Sequence, residues 1–372
     1  SIQAAAGGTF ASAGGLLAAD GQTVTLDVTM PSLSSVFGTV FQSDGTTAVA
    51  SPAISVVNVD SFGPEGFFQS NTFGDSFGNY QFGSVQAGTI QLSAADTSNP
   101  GSAGLITVQL PGNQPLNANI TLGNAFTFRF PFFQIFNLDG ADGFRYDVQC
   151  DGELIDGGTV DRHLNDAYDG NYRLGLSGLQ FNRQFPCLSA GLLDAGGRQV
   201  ALGYATFGNL QVTRKIFSPA AGGFARYLEI LTNPSAAPVT TSIIISSNLG
   251  SDNNTRIVVA PSATSFTYAI TDQSGICCDP LLAHIFSGAA PRLPIGAFQF
   301  LNNNDDIFYR WDNISIQPGQ TVIIMHFAVQ RDPSDLTGTR AQADALANLT
   351  DPNALAGMTS AEKAAVLNFN VP

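Results

Sequence analysis

Positive charge is what this chain has least of. Its 372 residues carry 15 Lys and Arg against 29 Asp and Glu, a formal net charge of -14, and no Lys, Arg or His precedes Arg129. The first third offers no cation to a phosphate backbone, so no nucleic acid partner is expected. Only 12% of residues are charged, while Gly reaches 39, a balance that favours turns and half-exposed strands over long surface helices. No apolar run approaches the ~18 residues of a spanning helix, so no membrane insertion is expected. The opening SIQAAAGG has neither the basic nor the apolar region of a signal peptide, and the chain reads as a mature or excised fragment.

Cysteine is scarce as well, and its spacing excludes more than its number. Cys150, Cys187, Cys277 and Cys278 form an even set without a CxxC pair, which favours disulfides over zinc in a composition that looks extracellular. Cys150 with Cys187 is the expected bridge. Cys277 and Cys278 are then joined to each other, or the pairs are crossed.

Apolar material is abundant: 44% of residues are hydrophobic and 28 are Phe, enough for two or three cores. Ser12–Met30, SAGGLLAADGQTVTLDVTM, recurs about ninety positions later as Ser102–Leu122, SAGLITVQLPGNQPLNANITL. Repeats of this kind mark arrays of similar units. Residues 1–31 therefore read as the closing strand of a preceding repeat, or as a strand donated to a neighbouring copy. Val24, Leu26, Val28 and Met30 alternate towards one face that the segment cannot bury alone. Neighbouring copies or repeats of the same protein are the expected partners.

Residues 32–123 alternate strand-like runs with turns at the spacing of a small sandwich. GTVFQSDGTTAVASPAISV followed by GNYQFGSVQAGTIQLSA resembles the carboxypeptidase regulatory-like domain, through Gly78, Tyr80, Phe82, Ala87 and Gly88. That resemblance implies a seven-stranded Ig/prealbumin-like sandwich of the kind that serves as a spacer or accessory module. Residues 124–332 read as a larger sandwich, with Pro318-Gly319 marking a hairpin. Its texture, including Asn233, Pro234, Pro238 and Val239, is similar to galactose-mutarotase-like sandwiches. Residues 333–372 change to helical period, with a capping box at Thr359 and Glu362 and an apolar face of Leu346, Leu349, Leu355 and Val366. The expected fold class is all-β with a short C-terminal helical segment.

Chemistry-bearing residues are few. His326 lies in the apolar run VIIMHFAV, where a buried, hydrogen-bonded histidine is expected, and Glu229 is mid-strand, where Arg226 or Arg214 would pair with it. No histidine and carboxylate assemble in sequence as an acid/base pair, so the residues favour a non-enzymatic role. Short acidic loops offer Asp139 and Asp142 in NLDGADGF, and Asp166 and Asp169 in NDAYDGNY. Such loops can supply oxygens to calcium, the one cofactor suggested, or simply make turns. The sequence thus reads as an extracellular or cell-surface protein acting as a stalk, adhesion or filament module. The alternatives are a calcium-assisted, lectin-like module for extracellular glycans and a carbohydrate-active enzyme domain. An exposed aromatic strip would favour the lectin.

Overall fold

The computed structural model describes residues 2–6, 9–13, 20, 22–60, 69–99, 102–123, 125–127, 136–177, 183–184, 190–203, 205–251, 254–261, 267–273, 279–301 and 305–372. The protein is almost entirely β, with several distinct sheets in sandwich-like arrangements and two short helices at its C-terminal end. The chain divides into two compact units. One comprises Ser1–Arg129, Leu188–Leu192 and Gly203–Phe207; the other comprises Phe130–Cys187, Leu193–Leu202 and Gly208–Pro372.

In the first unit, strand Leu33–Phe41 lies between Asn79–Gln86, antiparallel, and the short strands Leu116–Asn117 and Ile120–Thr121, both parallel. A second sheet runs in the order Gln69–Phe73, Ala53–Asn58, Gly88–Ala95, Ala103–Leu110, all antiparallel. Alternation dictates the packing: Val36 and Val40 face inward with Tyr80, Phe82, Ile120 and Leu122, and meet Ile54, Val56, Ile90 and Leu92 in one apolar core. Tyr80 satisfies its hydroxyl by donating to the carbonyl of Ala118 at 2.5 Å. Gly38 must lack a side chain, because a Cβ there would run into that same carbonyl. Residues 23–30 form no ladder with any described strand, yet Val24, Leu26, Val28 and Met30 are half-buried while Thr25, Asp27 and Thr29 are exposed. Near the N-terminus, Ile2–Ala6 and Thr9–Ala13 form an antiparallel hairpin.

The second unit has two larger sheets and a three-stranded antiparallel sheet of Phe136–Asp139, Phe144–Val148 and Leu154–Thr159. One sheet runs Arg183–Gln184, Arg173–Ser177, Val239–Asn248, Asp306–Ile316, Ala297–Leu301. The other includes Thr255–Val259, Tyr268–Gln273, Leu281–Ile285, Thr321–Arg331, Ala225–Thr232, Leu210–Phe217 and Gln199–Leu202. Val239–Asn248 alternates buried and less buried positions, as a strand covered on one face should. Thr321–Arg331 is instead buried at nine consecutive positions, because its second face lies under the helical tail. Leu346 of helix Leu336–Ala347 packs on that sheet, and Leu349, Leu355 and Val366 join it from outside the two helices, the first two from the turns between them and the last from the C-cap of helix Ser360–Ala365. Thr359 and Glu362 form the complete capping box.

The turn at Pro318-Gly319 corrects the hairpin expectation. The strands on its two sides pair with different neighbours, Val239–Asn248 and Ala225–Thr232, so the chain crosses from one sheet to the other. Asn233 stitches this corner: it is fully buried, its side chain donates to the carbonyls of Ala237 and Ile316 at 2.8 and 2.9 Å, and its carbonyl accepts from the Gly319 amide at 2.7 Å. A local turn signal cannot distinguish these two outcomes, because both need the same reversal.

Candidate functional site

Among the described residues, three places carry chemistry: a polar interior and a small pocket in the second unit, and two exposed phenylalanines in the first. Register builds the interior. Arg214 stands opposite Glu229 on adjacent strands, and His326 stands opposite Tyr227, two residues from Glu229 and therefore on the same face. The Arg214 guanidinium donates to both Glu229 oxygens, Nε to Oε2 at 3.0 Å and Nη2 to Oε1 at 2.8 Å, and also to the carbonyls of Asp151 and Tyr172. His326 Nε2 meets Glu229 Oε1 at 3.0 Å, and Tyr227 stacks on the imidazole with ring centroids 4.7 Å apart. Tyr309, Trp311 and Tyr172 close the other side.

Every one of these groups is fully buried, and the titration directions follow. Burial pushes Glu229 upward, but Arg214 and His326 together hold it below the ordinary carboxylate range, so it is ionised. Burial pushes His326 down, so it is neutral and donates through Nε2. His284 goes the same way, to about 3; its Nδ1 lies 2.8 Å from the Tyr172 hydroxyl and its Nε2 3.1 Å from the Thr271 hydroxyl. A histidine beside a carboxylate is a pair that general acid/base chemistry can use. Here it is sealed between sheets and held by ion pairing.

Thr271 links His284 to a small pocket that is also lined by Asp166, Ser251, Asp272, Gln273 and Asp279. Asp272 is held by Arg256 at 2.6 and 2.7 Å, so the lining presents hydroxyl, amide and carboxylate oxygens. In the first unit, Phe73 and Phe77 are 73% and 72% exposed. They flank a turn built by Asp75, whose Oδ1 accepts from the amides of Phe77 and Asn79 at 2.8 and 2.9 Å. These bonds hold Asp75 below the ordinary carboxylate range.

The expected site residues separate. Asp139 is held by Arg145 at 2.6 Å, Asp142 accepts from the Phe144 amide at 3.3 Å, Asp166 lines the pocket, and the Asp169 amide donates to the carbonyl of Asn248. Among the described residues no three His, Cys, Asp or Glu side chains converge on a point that could hold a metal. Cys150 is buried and disulfide-bonded. Cys187, Cys277 and Cys278 lie outside the described residues, as do Phe128, Phe130, Phe132 and Phe133. Trp311 is core. The His326–Glu229 pair is not visible in the sequence, because its members lie on strands that only the sheet order makes neighbours. Phe73 and Phe77 do carry a signal: they bracket Gly-Asp-Ser, a turn at which an inward side chain has no core to reach.

No family model and no curated protein matches this chain. Among solved structures it is similar to a putative aldose 1-epimerase from Klebsiella pneumoniae subsp. pneumoniae MGH 78578, at 10% identity and a TM-score of 0.40, over 76% of this chain and 90% of that one. A putative aldose 1-epimerase from Escherichia coli K12 is similar at 12% identity and a TM-score of 0.35, over 53% and 98%. A structure titled polysaccharide lyase BACCELL_00875 is similar at 12% identity and a TM-score of 0.35, over 52% of this chain, and the chain spans 33% of the lyase's length. A putative kojibiose phosphorylase and a 4-alpha-glucanotransferase are also among the similar structures. These likenesses concern sheet architecture alone. The expectation of a non-enzymatic role rested on the absence of a histidine–carboxylate pair in the sequence; the fold brings His326 to 3.0 Å from Glu229, and several of the similar structures are titled as carbohydrate-active enzymes, so that expectation does not stand. No helix among the described residues is long and apolar enough to cross a membrane.

Proposed function

We propose that this protein is an extracellular carbohydrate-binding protein whose first unit takes the face of a sugar ring on Phe73 and Phe77. The observation that carries this reading is the exposure of those two phenyl rings to 73% and 72%. Large apolar side chains left in water cost free energy unless a ligand covers them, and an aromatic face suits the C–H face of a pyranose. Asn71, exposed like Phe73 on alternate positions of strand Gln69–Phe73, supplies an amide for sugar hydroxyls. The disulfide at Cys150 supports an oxidising, exported setting, and Cys187 is the partner we assign to it. The test is a glycan array probed with the full chain, followed by titration of the strongest binder. Phe73→Ala with Phe77→Ala should weaken binding at least tenfold while leaving the melting temperature in place. Retention of no glycan by the wild type would refute the reading.

A second reading, chemistry on a bound sugar, is favoured by the 3.0 Å contact of His326 with Glu229. It requires the interior to open to substrate. Polarimetry of aldose anomerisation decides it: a wild-type rate above the uncatalysed one, lost in His326→Gln, supports it, and equal rates remove it.

A further inference from the structure

Residues 23–30 align without gaps on residues 115–122, TVTLDVTM on PLNANITL. The second segment shows what such a strand does. Leu116, Ala118, Ile120 and Leu122 face inward, Ala118, Ile120 and Leu122 fully into the core, and the strand runs parallel to Leu33–Phe41 with Leu116 opposite Val36 and Ile120 opposite Val40. The amides of Ala118 and Leu122 donate to the carbonyls of Phe37 and Phe41 at 2.8 Å, and the Asn119 side chain accepts from the Thr39 amide at 3.0 Å.

In the first segment, every inward position of that strand has an apolar counterpart: Val24 for Leu116, Leu26 for Ala118, Val28 for Ile120 and Met30 for Leu122. Asp27 replaces Asn119, and a carboxylate accepts an amide hydrogen as an amide oxygen does. Yet residues 23–30 form no ladder with any described strand, and the four apolar side chains are only half-buried. The strand Leu33–Phe41 of this chain cannot serve, because it is flanked on both sides already. An alternating strand with bare edges and one apolar face is a template for pairing.

We propose that Val24–Met30 is the closing strand of a further module of the same kind, and that it lies parallel to that module's first strand, a strand of the Leu33–Phe41 type from a tandem neighbour. Only Pro31 and Ser32 separate this strand from Leu33, so consecutive modules follow one another with almost no linker. A row of such modules would present several sugar platforms and raise avidity without any new contact.

The test uses the full chain and a synthetic peptide of residues 33–41 in place of the neighbour's first strand. Amide hydrogen exchange is followed at Leu26 and Met30, the counterparts of the two donors in the closed module. The expected result is at least tenfold slower exchange at both amides with saturating peptide, no slowing with a scrambled peptide, and loss of the effect in Val28→Lys. Exchange unchanged by the peptide, or slowed equally by the scrambled one, would overturn the proposal.

Discussion

Both units pack an apolar core, but the second also encloses a charged cluster. The first fills its core with Val, Ile, Leu and Phe, and the inward Tyr80 donates to the carbonyl of Ala118. The second buries Arg214, Glu229, His284 and His326 completely, among Tyr172, Tyr227, Tyr309 and Trp311. An apolar core loses roughly what is removed from it, whereas a buried ionic cluster fails when one member leaves, because the remaining charge has no water to turn to. The second unit should therefore be the more brittle to single substitutions.

That difference can be broken directly. Arg214→Met leaves the Glu229 carboxylate buried and held only by a neutral His326, and should cost about 3–5 kcal/mol in urea unfolding monitored in the second unit. Adding Glu229→Leu to it should recover much of the loss, since the cost lies in the stranded charge. In the first unit, Leu92→Ala should cost about 3 kcal/mol, with no partner substitution able to restore it short of refilling the cavity. Equal rescue in both units would erase the contrast.

Smaller effects sharpen it. Thr359→Ala removes the capping box of helix Ser360–Ala365 and should cost about 1 kcal/mol, felt only where the tail covers the second unit's sheet. The second unit should also show a pH slope of its own. Burial, with Asp156 beside it, raises Asp147 to about 6, and burial, with Asp151 beside it, raises Glu153 to about 7. For both, the folded state holds a proton that the unfolded chain has shed, so their contribution makes stability fall as pH rises from about 4 to about 7 and level off above. Asp147→Asn with Glu153→Gln should flatten that limb of the melting curve.

How much of this was legible in the sequence depends on whether a feature is local. The capping box, the apolar face of the tail and the inward alternation of Tyr80 and Phe82 all repeat within a few residues, and periodicity alone reveals them. The pairing of Glu229 with Arg214 follows from two strands adjacent in the chain. His326 joins them only because strand Thr321–Arg331 lies against Ala225–Thr232, a sheet order that no local pattern encodes. The corner at Pro318-Gly319 reads as a hairpin for the same reason. The exposed Phe73 and Phe77 carry only the local signal of the Gly-Asp-Ser turn between them, because in a chain with 28 Phe composition does not separate rings that face water from those that fill cores.

The most direct test of the account titrates one captured glycan against three proteins in the same buffer: the wild type, Phe73→Ala with Phe77→Ala in the first unit, and Thr271→Val with Gln273→Ala at the pocket of the second. The phenylalanine double variant should bind at least tenfold more weakly, and the pocket variant should match the wild type. Undiminished binding by the phenylalanine variant, with loss in the pocket variant, would contradict this expectation and move the sugar site into the second unit.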